Sequence, residues 1–220
     1  MTRILLLGAT GRTAAAVLAA LPDTVGVTAA LRTPADVKRL ADTVASLLPQ
    51  VVDIADGVSL RRAMDGVDVV VNAIRLREDI DSTALVCLHD RLVTASIATN
   101  GDDPPRMVTV GGAGALRLPG GARFWEHPTF PSPTLPRGRA HAALRDHLES
   151  GRAGEAWAYL IPPPAYQPHG PARGHWQATA PSTDESVFTT HAISYADFGR
   201  AVAAVALGDQ TGTRLIAWPR

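Results

Sequence analysis

The segment Gly8-Ala9-Thr10-Gly11-Arg12-Thr13-Ala14 follows a four-residue apolar run and precedes residues of helical composition. A strand-to-helix turn that meets a pyrophosphate needs these residue types at this spacing. Gly8 permits the tight turn and Gly11 lets the backbone approach the anion. Ala14 lets the helix pack close to the strand with its free N–H groups directed at the phosphates. Thr10, Arg12 and Thr13 belong to the same turn and count among its expected contacts. Strand, turn and helix in this order lift the GxxGxxA spacing above chance and predict a dinucleotide site.

The second apolar run ends Ala30-Leu31-Arg32-Thr33, with no Asp or Glu to hold a ribose 2′-hydroxyl. Arg32, together with Arg12, supplies guanidinium groups that clamp a 2′-phosphate, which favours NADPH over NADH. Solvated arginines at helix ends are the other reading of the same pair. Asp53 and Ile54, after the third strand, are expected beside the adenine. Asn72, Ala73 and Ile74, at the end of the fourth, are expected along the cofactor towards its ribose. Each also suits an ordinary strand terminus.

Proton donors are scarcer. Of seven histidines, His127, His169 and His175 fall in two long irregular segments and are the weak candidates for a catalytic acid. His141 reads as a packing residue on a helix, and His89 and His147 as solvated helix faces. No pair has metal-site spacing, so no metal is expected. Phe124, Trp125, Phe130, Tyr166 and Trp176 concentrate aromatic surface in the same segments. They suit either a pocket for a flat substrate, with Trp125, Phe130, Tyr166 and Trp176 as its walls, or anchors that fix long loops to the body.

These residues require a scaffold. Apolar runs at 3–7, 25–31, 51–54, 68–74, 106–110, 156–161 and 214–218 read as strands. Helical stretches at 12–21, 34–48, 59–64, 81–98, 138–150 and 195–207 separate most of them. Buried strands alternating with helices predict an α/β fold, a single doubly wound Rossmann-like domain over 1–220 with a parallel sheet. The Pro- and Gly-rich stretches at 113–137 and 162–185 are insertions after strands 5 and 6, on the side where open α/β sheets bind ligands.

Composition excludes several classes. Lys plus Arg and Asp plus Glu are 21 each, which gives no field for nucleic acid or an acidic membrane. Cys87 is the single cysteine, so no internal disulfide or multi-cysteine metal site exists. The amino-terminal apolar run is too short for a signal or membrane segment, and a cytoplasmic monomer or homodimer is expected.

GATGRTA, VVDIAD after the third strand, VGGAGAL after the fifth, AYLIPPPAY after the sixth and ISYADFGRAV near the end together resemble an atypical short-chain dehydrogenase/reductase. The likeness is to the NmrA-like group, nearest its small flavin- and biliverdin-reductase-like members, and spans nearly the whole chain. It implies NADPH, a Rossmann sheet and a substrate pocket built over the nicotinamide by the two insertions. It also implies contacts from Gly111, and from Pro162 and Pro163 beside the carboxamide.

The chain departs from the wider superfamily where proton transfer is done. Ordinary members use Tyr with Lys four residues later. Here Tyr159, Tyr166 and Tyr195 are followed at that spacing by Pro163, Gly170 and Gly199, and the one lysine is Lys38. Gly111 and Gly112 stand where a Ser is often found. Hydride transfer to a small aromatic quinone or flavin-like acceptor tolerates that loss, because the acceptor is electrophilic and water can protonate it. Secondary metabolism is the expected setting. A catalytically silent NAD(P)-binding regulator and a non-redox cyclase or isomerase on the same scaffold are the alternatives.

Overall fold

Strand β1 (Arg3–Leu7) is apolar along its buried length because successive side chains enter different cores. Ile4 and Leu6 pack with helices α1 (Arg12–Leu18) and α5 (Tyr195–Leu207). Leu5 and Leu7 pack with α2 (Gly57–Met64) and α3 (Ala84–Asn100). A strand covered on both faces by helices is the environment a parallel sheet demands. The computed structural model describes residues 1–76, 80–151 and 156–219.

The central sheet runs β3 (Ser46–Val51), β2 (Gly26–Leu31), β1, β4 (Val69–Asn72), β5 (Arg106–Val110), β6 (Trp157–Ile161), β10 (Gly212–Ala217), β8 (Gln177–Thr179). Every pairing in it is parallel except β10 with β8. Strand order reverses between β1 and β4, so the chain leaving those strands opens a crevice at their carboxyl ends. The doubly wound Rossmann-like reading therefore holds. Helix α4 (Leu135–Glu149) packs on α3, and a separate parallel pair joins β7 (Ala165–Gln167) to β9 (Ala192–Ser194).

Four local expectations are corrected. Residues 34–48 do not form one helix, and the third strand is not 51–54: a 3-10 turn covers Pro34–Arg39, and β3 covers Ser46–Val51. Thr43 turns the chain, since its hydroxyl donates to the Leu18 carbonyl at 2.7 Å and accepts from Ala45 N–H at 3.1 Å. Pro49 is tolerated inside β3 because that strand is an edge. The helix expected over 138–150 begins one turn earlier, with Pro136 in its first turn. His89 is not on a solvated face but buried where α3 meets α4, edge-on to His147 at 5.9 Å, and burial holds its pKa down.

Helices α1 and α5 approach closely at Gly199, where a Cβ would fall 2.5 Å from both the Cβ and the carbonyl carbon of Ala16. Gly199→Val should therefore cost about 1–3 kcal/mol through overpacking. Urea denaturation of the variant beside the wild type checks this, with a lower midpoint and an unchanged slope as the expected result.

Candidate active site

The glycine turn is built against the end of β4. Gly8 has φ +73°, and a Cβ on it would come 2.7 Å from the Ala73 carbonyl oxygen, so both conformation and space call for glycine. Gly11 N–H closes the turn onto the Gly8 carbonyl at 2.8 Å, while Ala14 is buried under the first turn of α1. Gly11 and Arg12 are left exposed. Arg32, also exposed, follows β2, the parallel neighbour of β1, so both arginines leave the sheet at adjacent carboxyl ends. The cradle thus has the small residues and cations a dinucleotide needs.

Asp53, Ile54 and Asn72 have local structural partners as well. The Asp53 carboxylate accepts from Ala55 N–H at 2.8 Å, and Asn72 Oδ1 accepts from Ile74 N–H at 3.2 Å. Ile54 packs on the α2–α3 core. Asp56, not singled out from the sequence, caps α2 by accepting from Val58 and Ser59 N–H.

A cavity of about 740 Å³ begins at Thr13, Ala73 and Ile74 beside this turn and runs under both insertions. Gly111, Pro162 and Pro163 line it from the ends of β5 and β6. Phe124 and Phe130, edge-on at 5.4 Å, form one aromatic wall. Tyr166 and Tyr195 form another, stacked at 3.8 Å with planes 6° apart. The β7–β9 pair brings these tyrosines together, and the Tyr166 hydroxyl lies 2.9 Å from Thr13 Oγ1. Burial pushes the Tyr166 pKa upward, so it stays a neutral phenol.

His141 on α4 also lines the cavity, backed by Tyr159 of β6. The Tyr159 hydroxyl lies 2.9 Å from His141 Nδ1 and donates to the His141 carbonyl at 3.1 Å. Burial, with the Arg137 charge adding to it, lowers the His141 pKa to about 4. Burial likewise raises that of Tyr159. Both groups are therefore neutral at pH 7. The glycine-rich run after β5 makes room for this pair, because a Cβ at Gly112 would fall 2.5 Å from His141 Cδ2.

The structure gathers Thr13, Ala73, Ile74, Gly111, Phe130, Pro162, Pro163, Tyr166 and His127 at one chamber. It does not bring Trp125, Trp176, His169 or His175 to its lining. Trp125 lies under the Arg139 guanidinium at 5.0 Å, and Trp176 packs on the α1–α5 core. His169 and His175 are exposed, with His175 Nδ1 3.0 Å from the Arg173 carbonyl. Reasoning from the sequence favoured a packing role for His141 and passed over Tyr195 as a site residue. The place of His141 on the helix that follows the first insertion was the available signal for the first.

Residues 8–208 match a family model described as NAD(P)H-binding. The chain belongs to that family. This bears out the resemblance as far as an NAD(P)H-binding Rossmann family. A comparison with curated protein sequences finds no match. Among solved structures, a Bacteroides thetaiotaomicron protein provisionally named an epimerase superposes with TM-score 0.79 at 21% identity, covering 100% of this chain and 98% of its own. A Burkholderia pseudomallei protein provisionally named as exported gives 0.78 at 25% identity, covering 99% and 100%. A Streptococcus pneumoniae protein provisionally named an NADH-flavin reductase gives 0.74 at 21% identity, covering 100% of both chains. Family and fold together support NAD(P)H binding on a Rossmann-like sheet. Among the described residues, no helix is long and apolar enough to cross a membrane.

Gly11→Val should abolish NADPH binding and leave the fold intact, since Gly11 is exposed and an added Cβ would meet only the Gly8 carbonyl oxygen, at 3.1 Å. Calorimetric titration with NADPH, beside a circular dichroism melt, separates the two effects.

Proposed function

We propose that the protein is a cytoplasmic, NADPH-dependent reductase that transfers hydride to a small planar aromatic quinone, flavin-like or carbonyl compound. The supporting observation is one cavity that starts at the residues beside the glycine turn and is walled by two aromatic pairs. Among its described lining residues there is no carboxylate, whereas Arg75 and Arg137 are present. That balance suits an acceptor whose oxygens gain negative charge.

When bound, the dihydronicotinamide supplies two electrons and one hydrogen as hydride. The acceptor's oxygen completes the reduction with a proton from water. The chain's own residues position and shield. Gly111, Pro162 and Pro163 bound the space for the nicotinamide, while the Phe124–Phe130 and Tyr166–Tyr195 walls orient a flat acceptor and exclude water. This reading works without a Tyr–Lys pair, and Lys38 lies exposed on the turn after β2, away from the cavity. The acceptor must be electrophilic enough to need positioning more than acid catalysis.

Two experiments follow. Arg32→Glu should weaken NADPH binding far more than NADH binding, because a like charge replaces a 2′-phosphate clamp. Equal losses would remove the NADPH assignment. With a quinone panel and NADPH absorbance as the readout, His127→Ala, His169→Ala and His175→Ala should each lower kcat less than about tenfold, below the range of a general acid. Phe130→Ala should chiefly raise KM. A hundredfold loss of kcat at one histidine would point instead to carbonyl reduction with a replacement acid, and NADPH binding without turnover on any acceptor would favour a regulator.

A further inference from the structure

Two groups of His141 converge on the Tyr159 hydroxyl: Nδ1 at 2.9 Å and the carbonyl oxygen at 3.1 Å. A hydroxyl has one proton and two lone pairs. The carbonyl can only accept, so the single proton goes to it. Nδ1 then faces an oxygen lone pair and meets it only as an N–H donor. A neutral imidazole protonated on Nδ1 has its lone pair on Nε2.

The ring is held in place. Its Cδ2–Nε2 edge lies against Gly112, where a Cβ would come 2.5 Å from Cδ2 and 3.0 Å from Nε2. Nδ1 is turned to Tyr159 inside the wall, while the residue lines the cavity, so Nε2 is the polar atom left for a ligand. The surroundings are the aromatic walls, the backbone of Gly111 to Gly114 and, as the nearest charge acting on the ring, Arg137. A fixed acceptor between aromatic walls discriminates between ligands, because one without a donor makes no hydrogen bond to it.

We propose that His141 is a specificity residue, held against Gly112 and fixed by Tyr159 as the Nδ1–H tautomer, and that the chamber selects a planar aromatic ligand presenting an O–H or N–H donor to His141 Nε2. The proposal rests on the reading of the cavity as the ligand chamber and adds the polarity of the contact. Neutrality of the ring at pH 7 follows from its burial and from Arg137, which hold the pKa at about 4.

Two measurements on the intact protein test it, and neither needs turnover. Nitrogen chemical shifts of His141, assigned by their loss in His141→Gln, should show protonation at Nδ1 and a lone pair at Nε2. The reverse assignment would overturn the proposal. Equilibrium titration with 2-naphthol, a planar donor, and 2-methoxynaphthalene, which can only accept, should show the naphthol binding up to about tenfold tighter, the worth of one neutral hydrogen bond. His141→Leu should erase that difference. Equal affinities in the wild type, tighter binding of the ether, a difference that survives His141→Leu, or no binding of either probe would each contradict it. Failure of the reductase reading is told apart by NADPH oxidation, which can be absent while the naphthol preference persists.

Discussion

Arg145 is fully buried, and its guanidinium meets the Glu185 carboxylate through two contacts of 2.7 Å while also donating to the Ala115 carbonyl at 2.8 Å. Burying two charges is costly unless geometry and further hydrogen bonds repay the lost hydration. Here Glu185 also accepts from Arg117 N–H at 2.8 Å and Ser182 N–H at 3.2 Å, and Arg145 Nε donates to Glu149 at 2.9 Å. Helix α4, the irregular segment after β5 and the segment before β9 therefore meet at one charge pair. Each contributes to the chamber: α4 through His141, the first segment through Gly112 to Phe124, the second through Ser186 and Thr189. The network extends to the sheet, because Glu149 accepts from Thr213 of β10 at 2.7 Å.

The opposite wall has its own anchor. Asp197, in the first turn of α5, is buried and accepts from Trp218 Nε1 at 2.7 Å and from the backbone N–H groups of Arg173 and Gly174 at 2.8 and 2.9 Å. Burial alone would raise its pKa, but these hydrogen bonds outweigh it and hold the carboxyl below its usual range. They tie the chain after β7 to α5, at whose first residue Tyr195 meets Tyr166. Two irregular segments thus acquire fixed geometry from two buried carboxylates, which is what positioning an acceptor against a nicotinamide requires.

Local information carried the sheet, the glycine turn and α5, because each is written in contiguous residues: an apolar run, a GxxGxxA spacing, a helix preceded by Ser194 as its cap. The edge strand β3 was obscured because its half-exposed pattern and Pro49 lack strand periodicity, and Thr43 acts through the distant Leu18 carbonyl. The chamber was legible only in part. Pro162, Pro163 and Tyr166 follow β6 directly, so their place was readable. The His141–Tyr159 pair and the Tyr166–Tyr195 stack arise from contacts across α4, β6, β7 and β9 that no spacing announces. Trp125 and Trp176 show the converse: aromatic residues in a long loop served as anchors, one under Arg139 and one on the α1–α5 core.

The central claim is that cofactor and acceptor meet in the cavity between the glycine turn and the two insertions. Difference electron density for crystals soaked with NADPH tests it most directly. The account predicts the pyrophosphate at Gly8 to Thr13 and the nicotinamide ring inside the cavity, bounded by Gly111 and Pro162, with one face open towards Tyr166 and Phe130. A nicotinamide lying outside that cavity, with the pyrophosphate still bound at the turn, would contradict it.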